Sequence, residues 1–292
     1  MSAVFAWMVV ASGLEFPEGP AWGPDGKVYL SSCGTPAVCR VDAKDRWAVW
    51  HKTGCNGLAF DADGGLLVCN PDPKGKPRRP RLLRIDRDGR EQVLADRYDG
   101  RPFHGPIDLS VAADGTIYFT DPCEDEKHYD RGAVYRVPKG GSPERIALGL
   151  LYPNGIELRP DGRALLVAAT ISKAIFEIPL DERGRPGPPR RWCDLEPLGE
   201  QVGPDGMAYD EMGCLYVAVF GASAVVRIDP SGKIVERIRT PGKNPTNCAF
   251  GGKDYRTLYV TETVRNELLA AEMPIAGLRP AWQRAATRPG AR

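Results

Sequence analysis

This chain is poor in the residues and runs that announce most chemistries. Its 292 residues include only three histidines, and none of the eight cysteines (33, 39, 55, 69, 123, 193, 214 and 248) stands in a CxxC pair. That spacing argues against a zinc framework, and the apolar settings of several cysteines predict buried free thiols rather than disulfides. An excess of charge is missing too: Lys and Arg total 39 against 38 Asp and Glu, which leaves no electrostatic footprint for nucleic acid or a membrane surface. The apolar stretch from Ala3 to Ala11 has no basic flank and is too short to span a bilayer. There is no serine nucleophile elbow and no glycine-rich phosphate loop. These absences predict a cytoplasmic protein, monomeric or weakly oligomeric, whose partner is a small molecule rather than nucleic acid or membrane.

What the chain does have is glycine (33) and proline (27), as turn-rich β architecture requires. Six tight turns recur: Pro24-Asp25-Gly26, Ala62-Asp63-Gly64, Ala113-Asp114-Gly115, Pro160-Asp161-Gly162, Glu211-Met212-Gly213 and the looser Lys253-Asp254-Tyr255. Each is followed by a short apolar run, such as Val28-Tyr29-Leu30 or Leu215-Tyr216-Val217, and preceded by another. Asp-Gly between apolar runs signals a hairpin. From Gly26 to Gly64, Gly115, Gly162, Gly213 and Tyr255 the steps are 38, 51, 47, 51 and 42 residues, the length of four-stranded propeller blades. The fold class predicted is therefore all-β: one six-bladed β-propeller domain over residues 1–278, with residues 279–292 as a C-terminal tail. The sixth unit lacks a convincing fourth run, while Phe5 to Val10 reads as a strand without a blade. Closure of the ring by that N-terminal strand accounts for both and removes two open sheet edges.

Eight positions before each turn stand Glu18, Asn56, Ile107, Asn154, Asp205 and Asn247. In a closed propeller such equivalent positions ring the central channel, and five of the six carry an oxygen donor. Carboxylates and amide carbonyls are hard ligands suited to Ca²⁺, Mg²⁺ or Mn²⁺. Asp205, with one oxygen on a cation and the other free, could act as general base toward water.

Phe-Pro-Glu-Gly-Pro-Ala-Trp (16–22), Tyr-Pro-Asn-Gly-Ile (152–156), Gly-Pro-Asp-Gly-Met (203–207) and Pro-Thr-Asn-Cys-Ala-Phe-Gly-Gly (245–252), with Ile107-Asp108 before Tyr118-Phe119-Thr120-Asp121-Pro122, stand in order and in register. Together they resemble the motifs of the senescence marker protein/gluconolactonase family of regucalcin-like lactonases, over about residues 14–275. The resemblance implies one divalent cation in the channel, Ca²⁺ first with Zn²⁺, Mn²⁺, Mg²⁺ or Fe²⁺ as alternatives. It also implies Glu18, Asn154 and Asp205 as ligands and a hydrolase that opens a sugar-type or hydroxy-acid lactone. Relatives typically carry Pro-Asn-Asp where this chain reads Pro106-Ile107-Asp108, and isoleucine cannot ligate a cation. Many also carry an arginine where Gly105 stands. Other ester, phosphoester or biosynthetic lactone chemistry, or a non-catalytic calcium-binding propeller, are the alternative readings.

Around this set, His104, Ile107, Asn56, Asn247 and His128 are the candidate substrate contacts. The basic run Lys74 to Arg81 could attract an anionic substrate, or could simply be solvated.

Overall fold

The computed structural model describes residues 5–72, 78–280 and 283–284. Residues 74–77 of the predicted basic run, and 281–282 and 285–292 of the predicted tail, lie outside them. Among the described residues there are six four-stranded antiparallel sheets and one two-stranded ribbon, Arg97–Tyr98 with Arg101–Pro102. Among the described residues the helical segments are the short 3₁₀ turns Glu126–Arg131 and Glu196–Leu198 and the residues Gln283 and Arg284, and no helix is long and apolar enough to cross a membrane. The innermost strands are Pro17–Trp22, Leu58–Phe60, Leu109–Val111, Pro153–Leu158, Gly203–Tyr209 and Pro245–Gly251. They define blades one to six in chain order.

Each blade is built as its turn chemistry dictates. The turn glycines 26, 64, 115, 162 and 213 all take positive φ between 73° and 85°, and Tyr255 takes the same role at 60°. An aspartate often opens the turn: Asp210 Oδ1 accepts from Met212 N and Cys214 N at 3.0 and 2.8 Å, and Asp61 Oδ1 does the same for Asp63 and Gly65. The strands that follow are covered on both faces by neighbouring blades, so Leu66-Leu67-Val68 and Leu215-Tyr216-Val217 are buried throughout. All eight cysteines are free, and seven of them are buried.

The N-terminal strand, Met8–Ala11, is the outermost strand of blade six. It pairs with Glu267–Glu272 through Met8↔Ala270, Val9↔Leu269 and Ala11↔Leu268. Two residues upstream of this ladder also dock: Phe5 and Trp7 pack on the blade-six core, and Trp7 Nε1 donates to Arg239 O at 2.6 Å. The ring closes as the orphan strand predicted. Removing residues 1–12 should cost more than about 4 kcal/mol, because a ladder, the Trp7 contact and the burial of Ala11 vanish together. Urea denaturation checks this; a truncated protein as stable as the full chain would show that closure lies elsewhere.

Candidate metal centre

The six inner strands enter the channel through a common kink. In blades one, four and five the pairing register slips after the ring residue, between Glu18 and Ala21, Pro153 and Ile156, and Pro204 and Met207. Phe16 and Tyr152, just before the prolines of blades one and four, hold left-handed φ of 51° and 57°. Such conformations cost about 1–3 kcal/mol each in non-glycine residues and are typical of sites that must aim a side chain. Here they turn Glu18 and Asn154 toward the axis.

The register also corrects one expectation. Met207 pairs with Val217, Ile156 with Val167, Leu58 with Val68, Leu109 with Phe119 and Cys248 with Val260. The residues two before these are Asp205, Asn154, Asn56, Ile107 and Thr246. Thr246, not Asn247, is therefore the blade-six member of the ring that includes Glu18. The turn at 252–255 carries one residue more than the others, and counting eight back from Tyr255 stops one short of the ring position.

Glu18, Asn154 and Asp205 come together. All three are buried, at 5, 8 and 7 % exposure. The Asn154 side chain hydrogen-bonds the Asp205 carboxylate, and its Nδ2 also donates to Thr170 Oγ1 at 3.3 Å. Its carbonyl Oδ1 is then the atom left for a ligand. Glu18 Oε2 accepts from Gly19 N at 3.1 Å, with Asn247 and Thr246 within hydrogen-bonding reach of its carboxyl. Burial, and then repulsion from Glu18 and Asp108, drives Asp205 well above the usual carboxylate range. Burial raises Glu18 to about 8, with Asp108 adding to the shift. Two carboxylates and an amide packed this tightly without a cation are a costly arrangement. Among the described residues no group of three His, Cys, Asp or Glu side chains forms a metal cluster; the donor set here has two carboxylates and draws its third oxygen from an amide. That set fits a hard divalent cation. The neighbouring Cys33 thiol donates to Cys55 O at 3.2 Å, and burial pushes it up, so it stays protonated and is no thiolate ligand.

The remaining candidates separate. Ile107 is buried in the ring, with its backbone fixed by Thr120 O and Gly57 N. Asn56 occupies the blade-two position, half-buried, with its carbonyl accepting from Ser31 Oγ at 2.5 Å. His104 is exposed; its backbone N and that of Gly105 donate to the buried Asp121 carboxylate at 3.1 and 2.7 Å, which pins the loop before Ile107. Arg78, at the edge of the basic run, crosses the same loop and donates to His104 O at 3.2 Å and Pro71 O at 3.0 Å. His128 is turned aside, Nδ1 to Asp125 Oδ2 at 2.7 Å. Its neighbour Tyr129 instead meets Tyr152 edge to face at 6.0 Å, and Tyr152 feels both ring carboxylates. Asp108 was not anticipated. It is 8 % exposed and raised to about 7, chiefly by burial. Its signal in the sequence was an acidic residue following the ring position where blades one, two, four and five have glycine.

Residues 16–264 match the model of the SMP-30/gluconolactonase/LRE-like region. The chain is 27 % identical over 285 residues to a gluconolactonase of Zymomonas mobilis, covering 87 % of this chain and 78 % of that protein. It is 30 % identical over 276 residues to the regucalcin of Sus scrofa, with 89 and 87 % covered. The solved structure of a gluconolactonase from Xanthomonas campestris superimposes with a TM-score of 0.78 at 26 % identity, over 92 % of this chain and 90 % of that one.

The raised carboxylates set a pH dependence. Glu18 at about 8 in the fold against 4.5 in an open chain means that the folded state holds a proton the unfolded state has released. Stability of the chelator-treated protein should therefore fall as pH rises from about 5 to 8. Glu18→Gln should flatten that fall, and Ca²⁺ should restore the wild type at pH 8 but not the variant. Thermal melts across this range decide it; a wild-type melting temperature that climbs from pH 5 to 8 would mean that these groups are not buried together.

Proposed function

The chain belongs to the SMP-30/gluconolactonase/LRE-like family, and from that premise we propose that it is a divalent-metal-dependent hydrolase opening a small sugar-type or hydroxy-acid lactone. The observation that carries the reading is the convergence of Glu18, Asn154 and Asp205, two of them carboxylates held at unfavourable protonation energies. Gluconolactonase relatives support lactone opening as the activity, and regucalcin relatives are consistent with calcium.

Glu18, Asp205 and the Asn154 carbonyl would hold the cation, which when bound supplies Lewis acidity toward a carbonyl oxygen. Asp205 is the base. Its raised proton affinity suits it to accept a proton from the water that attacks the lactone carbonyl, and the Asn154 amide fixes its orientation. Asp205 then gives that proton to the ring oxygen as the C–O bond breaks, which leaves a hydroxyl, and the carboxylic acid formed loses its own proton to solvent. Tyr152, edge to face with Tyr129, stands beside the carboxylates, where its ring would help to shield the site from bulk water. Ile107 makes the blade-three wall of the site apolar.

Asp205→Ala should abolish turnover, and Glu18→Ala should lower cation affinity by orders of magnitude, since a charge and a ligand leave together. Asn56→Ala should be far milder. Calorimetry of chelator-treated protein, with a lactone panel assayed under Ca²⁺, Mn²⁺, Zn²⁺ and Fe²⁺, checks all three; undiminished cation binding in both carboxylate variants would move the site elsewhere.

Ile107 generates a separate expectation. An alkyl group leaves a coordination position to water or substrate, and Ca²⁺ prefers six to eight oxygens. It also denies a partner to a substrate hydroxyl, at about 1–3 kcal/mol. Ile107→Asn should therefore tighten Ca²⁺ binding and favour fully hydroxylated aldonolactones over less polar lactones. Titration showing unchanged or weaker Ca²⁺ binding in a folded variant would count against Ile107 facing the cation.

A further inference from the structure

Below the ring lies a second layer, formed by Gly19, Gly57, Asp108, Gly155, Gly206 and Asn247, the residues that follow the six ring positions. Four are glycines for want of space. A Cβ on Gly206 would fall inside the Asn247 amide, and one on Gly57 would strike Asp108 Oδ1. Only blades three and six place side chains here, and in a ring of six those blades stand opposite each other. Asp108 and Asn247 thus meet across the axis.

Their hydrogen bonds are fully allocated. Asn247 Oδ1 accepts from Cys248 N at 2.8 Å, which leaves its NH₂ as the donor. That group serves two carboxyls, Glu18 above and Asp108 across the channel. Asp108 Oδ1 accepts from Leu109 N at 3.0 Å, and the Ile156 backbone N–H is a further donor to its carboxyl. Beneath the pair the channel opens again into a cavity of about 180 Å³, which both residues line. Its walls include Trp22, Phe60 and Phe250, and Glu157 faces it with Ser110 Oγ donating at 3.0 Å.

The geometry points to Asn247 and Asp108 as an axial brace: Asn247 is a positioning residue that holds the Glu18 carboxylate from below, and the pair divides the channel so that the ring opens only to the upper mouth. An amide suits this task because it donates to two carboxyls at once without adding a charge that would compete for them. Asp108 adds a negative group below the ring without standing at a ring position. The assignment of Glu18 as a cation ligand rests on the proposed function; the brace itself does not.

Two measurements separate them. In the chelator-treated full chain, Asn247→Ala and Asp108→Ala should each lower the melting temperature, and the double variant should lose clearly less than the sum, since each single change strands the partner. Additive losses would overturn the brace whether or not any metal binds. In the second measurement, Ca²⁺ alone is titrated calorimetrically into wild type and Asn247→Leu, which fills the same space and donates nothing. Affinity should fall tenfold or more in the folded variant. If leucine is not accommodated, Asn247→Ser, too short to reach both carboxyls, should show the same loss. Wild-type affinity in a folded variant would remove Asn247 as a positioning residue. Failure of the wild type itself to bind Ca²⁺ would sink the metal-dependent reading, and the melting cycle would still decide the brace.

Discussion

Everything in this molecule depends on how closely six strand entrances can approach one axis. Closure of the ring by Met8–Ala11 on Glu267–Glu272 leaves the blades no freedom to spread, so crowding at the centre must be relieved by sequence. Glycine relieves it at positions 19, 57, 155 and 206, where any side chain would meet the next blade. The relief is incomplete at blades three and six, where Asp108 and Asn247 consume the space that the glycines leave. The functional ring sits directly above this layer, so the packing problem and the placement of the carboxylates have a common solution.

That placement carries an electrostatic cost. Glu18, Asp108 and Asp205 are each buried, and burial raises the proton affinity of all three; Asp108 adds to the rise at Glu18, and both add to it at Asp205. A folded protein tolerates such a cluster only if the surrounding ladder is rigid enough to hold it, and the strands about it are among the most buried segments in the chain. The same cluster would be relieved at once by a divalent cation, so stability and ligand binding are linked through the same groups. Neutral donors do the local work: the amides of Asn154 and Asn247 satisfy the carboxylates without neutralising the site.

Much of this was legible in the sequence because two periodicities coincide. The turn chemistry, a residue of positive φ that aspartate precedes in five of the six blades and Met212 in the fifth, sets the strand count. The unpaired N-terminal run and the missing last strand fit together by number alone, although the strand runs Met8–Ala11 rather than Phe5 to Val10. Glu18, Asn154 and Asp205 were found because each lies at a fixed distance from a regular turn. That fixed distance breaks where the turn is irregular. Blade six carries an extra residue before Tyr255, so Asn247 was counted into the ring and Thr246 was passed over. Asp108 escapes for a different reason: its one mark is that it stands where four other blades have glycine, and that contrast shows only when the blades are aligned on their ring positions. Residues 279–292 read as a tail, and of its described residues Arg279 stacks on Tyr255 and Arg284 lines the lower cavity. Arg279, Pro280 and Arg284 line a cavity rather than a sheet, and a cavity lining has no period.

Ile107 shows how the two layers divide labour. On the proposed function a side chain at a ring position would face ligand, and exchanging an oxygen donor for an alkyl group would change what the site binds while leaving the backbone contacts of Gly57 N and Thr120 O intact. One residue later, at Asp108, the side chain faces the rest of the protein, and its partners are a backbone amide of its own strand, one of the next blade and an amide across the axis. A change there alters packing, charge and hydrogen bonding together. Chemistry can therefore drift at the ring with little effect on the fold, whereas the layer beneath is held by contacts from several blades at once. On this view the blade-three dipeptide Ile107-Asp108 pairs a position free to vary with one that is not.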